Sequence, residues 1–116
     1  MRDMSLHSAG WAGASSAAPV FAALGDETRL ELVARLSAEG PLSITRLTAG
    51  SAVTRQAITK HLNVLAAAGL VSDLRHGRER IWELEPEEME AARTYLEHVS
   101  KRWDQALDRL KKFVEE

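Results

Sequence analysis

Ser43 to Leu70 reads SITRLTAGSAVTRQAITKHLNVLAAAGL, two helical stretches joined by a short link. In the second stretch Thr54 is placed to cap, because its hydroxyl accepts a free backbone N–H of the first turn. Val53 and Ile58 flank that cap at the spacing of a hydrophobic staple. Ile58, Leu62 and Leu65 then recur four and three residues apart, which is one side of a helix. Arg55, Gln56, Thr59, Lys60 and Asn63 fall on the opposite side. All five donate hydrogen bonds suited to phosphates or base edges, and no carboxylate stands among them. Ala66-Ala67-Ala68-Gly69 ends the helix on glycine, the usual left-handed cap.

The stretch before it repeats the grammar. Ser43 is the N-cap, Leu42 and Leu47 are the staple pair, and Gly50 closes the helix. The link Gly50-Ser51-Ala52-Val53 is short enough to hold the two helices at a steep angle. This is the helix-turn-helix pattern, whose second helix enters the DNA major groove. An ordinary helical hairpin with a solvated polar face is the competing reading.

Charge separates the two. The chain has 116 residues, enough for one domain, and a formal net charge of −2. That balance excludes a globally basic nucleic-acid binder. The charge is uneven, however. Ser43 to Arg80 holds six Lys/Arg against two acids, and Glu83 to Glu116 holds ten acids against six bases. A basic middle and an acidic tail suit an anionic partner for the middle only. There are no cysteines, so disulfides, thiolate metal sites and cysteine redox chemistry are excluded. The first residues lack the apolar core of a signal peptide, and no apolar run reaches the ~20 residues of a membrane span. A cytoplasmic protein without membrane association is the expectation.

Residues 1–18, rich in Ala, Ser and Gly, read as a flexible arm carrying one aromatic, Trp11. The folded domain is then 19–116. Pro19 suits the first position of a helix that carries Val20, Phe21, Ala23 and Leu24 and stops at Gly25. Asp26 caps a longer helix with an apolar stripe at Leu30, Val33, Ala34 and Leu36, closed by Gly40-Pro41. Arg29 in it reads best as a partner in a structural salt bridge. After Gly69 the period changes to alternation. Leu70–Arg75 and Arg78–Leu84 read as strands with His76-Gly77 between them. A hairpin there is a wing, and Arg75, His76, Arg78 and Arg80 make it basic, in agreement with the preceding helix.

Pro86 opens the last helix, 86–115, with Glu87, Glu88 and Glu90 at its positive end. Met89, Ala92, Leu96, Val99, Trp103, Ala106, Leu110 and Phe113 follow at alternating spacings of three and four, a heptad seam widened by Leu107 and Val114. So long a helix exceeds what this domain can cover, and a second copy is the natural partner. Leu96, Val99, Trp103, Leu107 and Leu110 are the expected contacts.

Catalytic and metal chemistry is not written here. His7, His61, His76 and His98 do not pair at ligand spacing on a helix, and no phosphate loop or nucleophile elbow occurs. The expectation is no enzyme, no metal site and no cofactor.

The element order, helices, helix-turn-helix, wing and long helix, resembles the ArsR-type winged-helix repressors of bacteria. Phe21–Leu36 (FAALGDETRLELVARL), Val53–Val71 (VTRQAITKHLNVLAAAGLV) and Arg75–Leu84 (RHGRERIWEL) carry the resemblance. It implies a mainly α fold with a β-hairpin wing, and a homodimer joined through its first and last helices, with Phe21 in the interface. It implies a repressor of promoters, released by a signal, bound to a pseudo-palindromic operator in double-stranded DNA. Carried over by position, Thr54, Arg55, Gln56, Thr59 and Lys60 face the major groove, and the wing arginines face the adjacent backbone. Ser43, His61 and His76 complete the expected DNA-contacting set. The metal-sensing members carry cysteines in the first helix of the motif or His/Asp sets in the last helix. Here those positions read SITRLTAG and hold His98 alone. A small-molecule inducer, a ligand- or metal-responsive site at the dimer helices, and a wing module that binds protein are the alternatives beside the DNA-binding repressor.

Overall fold

The computed structural model describes residues 14–115. Its elements are α1 (Ala14–Leu24), α2 (Glu27–Glu39), β1 (Leu42–Ser43), α3 (Ile44–Thr48), α4 (Arg55–Ala67), β2 (Val71–His76), β3 (Glu79–Leu84) and α5 (Pro86–Glu115). The mainly helical architecture with a basic wing is the expected one. The expected arm lies largely outside the described residues, Trp11 with it.

The helix-turn-helix forms as its caps require. Ser43 Oγ accepts from the Arg46 N–H at 3.1 Å and Thr54 Oγ1 from the Ala57 N–H at 3.1 Å. Both staples close, with Leu42, Leu47 and Ile58 buried and Val53 packed against them. Gly69, at φ +80°, ends α4 in a Schellman turn, with the Leu70 N–H on the Leu65 carbonyl and the Gly69 N–H on the Ala66 carbonyl. Arg35 of α2 reaches across to the carbonyls of Arg46 and Leu47, acceptors that the short α3 leaves without helical donors.

The core lies where α1, α2, α4 and the sheet converge. Leu62, Leu65 and Leu70 are 0% exposed and Trp82 1%. The sheet has three antiparallel strands in the order β1-β3-β2, one more than the sequence suggests. Leu42 and Ser43 pair with Trp82 and Ile81. Two residues show no periodicity. They are extended because Ser43 must leave the helical region to cap α3, and β3 takes up their backbone groups.

Three boundaries differ from expectation. Helix α1 starts at Ala14, so Pro19 lies inside it and does not open it. Alanine is the strongest helix former, and burial of Ala17 outweighs the one hydrogen bond a proline removes. In α2 the buried face is Leu32, Val33 and Leu36, whereas Leu30 is 53% exposed and Ala34 exposed. The realised face buries three large side chains, and the expected stripe gave part of its width to alanine. In the wing, the turn is Gly77-Arg78, closed by the pair His76 and Glu79. Gly77 has φ +65°, and among the described residues no other residue type has positive φ, so Arg78 does not, the pattern of a type II′ turn with glycine first. Arg78 therefore sits in the turn and His76 in the strand.

Helix α5 has 30 residues and runs about 45 Å. Its first turns pack on the core through Met89 and Ala92, and Tyr95 meets Phe21 with ring centroids 5.9 Å apart. Beyond Val99 it leaves the domain. No helix among the described residues is long and apolar enough to cross a membrane.

Leu32→Ala is expected to cost about 2–5 kcal/mol of stability, and Leu30→Ala less than about 0.5 kcal/mol. Urea denaturation of the two variants checks which face of α2 is packed.

Candidate nucleic-acid interface

The buried side of α4 determines what its other side shows. With Ile58, Leu62 and Leu65 in the core, Arg55, Gln56, Lys60 and Asn63 are exposed. Among the described residues, Arg55, Gln56 and Lys60 make no hydrogen bond or ion pair and keep all their donors. The two threonines are engaged. Thr54 Oγ1 caps the helix, and Thr59 Oγ1 donates back to the Arg55 carbonyl at 2.9 Å.

Two residues expected with this group lie elsewhere. Ser43 is 7% exposed and its hydroxyl is used in capping α3, so it is not on the surface that α4 presents. His61 turns towards α2 and α1. Its Nδ1 lies 3.1 Å from an Arg29 terminal nitrogen and 3.8 Å from Asp26 Oδ2. Arg29 in turn donates from Nε to the Ala23 carbonyl at 2.6 Å. Its expected salt bridge is thus replaced by a carbonyl and an imidazole, with the Asp26 carboxylate taking the Arg29 backbone N–H at 3.1 Å.

The wing supplies a second group of cations. Arg75, His76 and Arg78 are exposed at its tip. Arg80 stands directly across the ladder from Arg75. Like charges so placed repel. Arg80 answers by folding back: its Nε donates to Asp73 Oδ2 at 2.7 Å, and its guanidinium lies 4.8 Å from the Trp82 ring centroid. Arg80 is therefore committed within the wing, unlike Arg75 and Arg78. At the wing's base Ser72 donates to the Glu85 carboxylate, and the Glu85 N–H reaches the Leu70 carbonyl at 2.8 Å, tying the hairpin to the start of α5.

A groove of about 400 Å³ runs between α2 and the α3–α4 link, lined by Thr28, Glu31, Arg35, Gly50, Ser51 and Val53 among others. Its floor includes Ile58, the underside of α4. Among the described residues, no three His, Asp or Glu side chains converge as a metal site requires. His98 is exposed on α5.

Sequence reasoning missed two parts of this arrangement. Asp73 neutralises Arg80 across the diagonal of the hairpin, which becomes visible once Gly77-Arg78 is taken as the turn. The Asp26–Arg29–His61 contact joins residues far apart in the chain and left no periodic signal.

A cationic, donor-rich helix displayed beside a cationic hairpin defines a winged helix-turn-helix that binds DNA and regulates transcription. Comparison with known proteins agrees. A family model described as a helix-turn-helix domain matches residues 24–73. The HTH-type transcriptional regulator Rv2034 of Mycobacterium tuberculosis is 41% identical over 85 residues, which cover 73% of this chain and 76% of that one. The arsenic resistance transcriptional regulator ArsR1 of Pseudomonas putida is 34% identical over 68 residues, 59% of this chain and 53% of that one. Among solved structures, an ArsR-like transcriptional regulator from Rhodococcus sp. RHA1 superposes with a TM-score of 0.70 at 38% identity, covering 85% of this chain and 92% of the other. The chain belongs to the ArsR-type winged helix-turn-helix transcriptional regulators, a family of DNA-binding proteins and not of enzymes.

The Asp26 carboxyl is held below its ordinary range, first by the Arg29 N–H that donates to it and then by attraction to His61, when that ring is charged, and to Arg29. A lowered folded value means that its contribution to stability is complete above the usual carboxylate range and is lost as pH falls through the lowered value. Thermal unfolding at falling pH is expected to show that loss in the wild type. It should be smaller in Asp26→Asn, which keeps a capping oxygen that does not titrate.

Proposed function

We propose that this protein is a homodimeric repressor that reads a pseudo-palindromic operator with two copies of α4 and clamps the flanking backbone with two wings. The observation that carries the reading is the exposed face of α4. Arg55, Gln56 and Lys60 stand free on a helix that its buried side holds fast, with no acid beside them. Arg and Gln are the side chains that pair bidentately with guanine and adenine edges. Arg75 and Arg78 at the wing tip are assigned to phosphates. A winged helix that had turned to binding protein would have little use for such a surface.

Dimerisation is supported by α5. Leu96, Trp103, Leu107, Leu110, Phe113 and Val114 are all more than half exposed on the single chain. A stripe of this length is rare on a monomer and normal at an interface. A symmetric pairing of the α5 helices, with Phe21 and α1 alongside, covers it and sets two recognition helices in successive major grooves, about 34–36 Å apart. The place of action is then the cytoplasm, with the chromosomal DNA. A signal that releases the operator is consistent with the relatives, but a thiolate site for arsenic is not available in a chain without cysteine.

Selection of bound duplexes from a random pool tests the reading, and the recovered sites should be inverted repeats with that spacing. Failure of the purified protein to bind any duplex at low salt would overturn it. Gln56→Ala is expected to relax preference at one base pair by about 1–3 kcal/mol. Arg78→Ala should weaken all sequences alike and lower the salt slope by about one. Leu110→Glu should yield monomers in sedimentation equilibrium and lose the inverted-repeat preference.

A further inference from the structure

We infer that Arg29 and His61 form a latch that positions the recognition helix against the end of α1, and that the latch holds only while His61 is neutral. The inference rests on the DNA-reading role assigned to α4.

Arg29 bridges three elements with one side chain. It is carried by α2, donates from Nε to the Ala23 carbonyl at the C-terminal end of α1, and donates from a terminal nitrogen to His61 Nδ1 in α4. The carbonyl it meets is one that the helix end leaves without a helical donor, so the bond meets a standing need of α1. A guanidinium has donors only. The contact at 3.1 Å therefore requires that Nδ1 carry the lone pair, which places the ring proton on Nε2 and leaves the imidazole uncharged. His61 follows Lys60 directly and sits between Arg55 and Asn63. A ring anchored at its Nδ1 restrains rotation and sliding of α4 about its own axis, which the apolar contacts of Ile58, Leu62 and Leu65 restrain only by shape.

The same nitrogen has a second partner in waiting. Asp26 Oδ2 lies 3.8 Å from Nδ1, and Asp26 is itself fixed as the N-cap of α2. A proton on Nδ1 abolishes the bond from Arg29, sets two cations against each other, and creates an ion pair with Asp26. The ring thus exchanges one α2 partner for another, and the tie from α4 through Arg29 to the end of α1 is lost. Among the described residues, Asp26 and Arg29 are the charged groups that meet the ring; α1 contributes the Ala23 carbonyl to Arg29, and Lys60 on α4 itself is exposed. A displacement at this point changes how well Arg55, Gln56 and Lys60 fit base edges and has little effect on unspecific attraction to phosphates. The latch therefore governs discrimination more than affinity.

The measurement is the ratio of affinity for the duplex that the wild type selects from a random pool to affinity for a random duplex of equal length. It is taken at about pH 8 and about pH 5.5, the span in which imidazoles change charge. Taking a ratio cancels changes in unspecific attraction that acidification brings about elsewhere on the chain. At pH 8, Arg29→Met and His61→Leu should each lower the ratio between about threefold and thirtyfold. The double variant should be no worse than the lower single one. The wild-type ratio should fall on acidification. His61→Asn, whose amide oxygen occupies the place of Nδ1 and accepts from Arg29, should keep the ratio at pH 8 and hold it at pH 5.5. Multiplicative effects in the double variant, or His61→Asn following the wild type as pH falls, would overturn the latch. If Arg29→Met does not fold, the contrast of His61→Asn with His61→Leu decides. A wild type that binds no duplex removes the DNA-reading role and the latch together, whereas unaltered variants of a wild type that binds remove the latch alone.

Discussion

Burial of one side of α4 is the constraint from which the rest follows. Ile58, Leu62 and Leu65 are 2%, 0% and 0% exposed, and each is held by elements from different parts of the chain. A helix with three fully desolvated side chains in a close-packed core cannot rotate without opening voids. Its polar face is therefore set by the packing of its apolar one. A surface that must recognise a rigid partner gains affinity by losing no freedom on binding. The core of so small a domain lies under α4, while much of α5 is left bare.

The wing obeys a different physics. It has little core of its own beyond Val71 and Trp82, and its tip is held by ladder hydrogen bonds and charge. Arg80 illustrates the balance. Opposite Arg75 it would repel, so it pairs with Asp73 and rests on Trp82, which keeps the tip ordered and lowers the number of free cations. The chain as a whole is anionic, yet the face made by α4 and the wing is not. At physiological ionic strength charges are screened beyond about 8 Å, so acids on the exposed far part of α5 act on that face less than their number suggests. Attraction to a polyanion is set by the patch and not by the sum.

The caps, staples and closing glycine of the helix-turn-helix were legible because they are local: a Thr, a Val before it and an Ile four residues on lie within one turn of helix. The heptad seam of α5 was legible for a related reason, since periodicity over 30 residues accumulates. What escaped was set by competition between distant parts. Leu30 and Leu32 are equally apolar, and only packing against α4 and β3 chooses between them. Pro19 obeys a sound rule for a helix start, but the alanines before it and the burial of Ala17 extend the helix past it. Ser43 and His61 belong to the right segment but turn inward, because the buried Ser43 cap and the half-buried His61 ring spend on Arg46 and Arg29 the donors and acceptors that DNA would use. Residue type marks a side chain as capable of polar recognition; the fold decides whether the partner is inside or outside.

The geometry also bears on how a family member without a thiolate site can respond to a signal. In the symmetric pair proposed above, the second half-site would bind as an intramolecular event, at an effective concentration that depends on the distance between the two copies of α4. That distance is set where α1 and α5 pack, remote from the bases. A change there of a fraction of a helical turn leaves each α4 intact and yet denies the pair simultaneous engagement, a loss of about 10²- to 10⁴-fold in avidity. One route from α5 to α4 is short in this chain: Phe21 on Tyr95 joins α5 to α1, and Arg29 joins the end of α1 to α4. On the proposed dimer reading, an effector has no need to reach the bases or unfold any element. It has only to favour one of two packings of helices that already meet, and the rigid core under α4 carries the difference to the duplex.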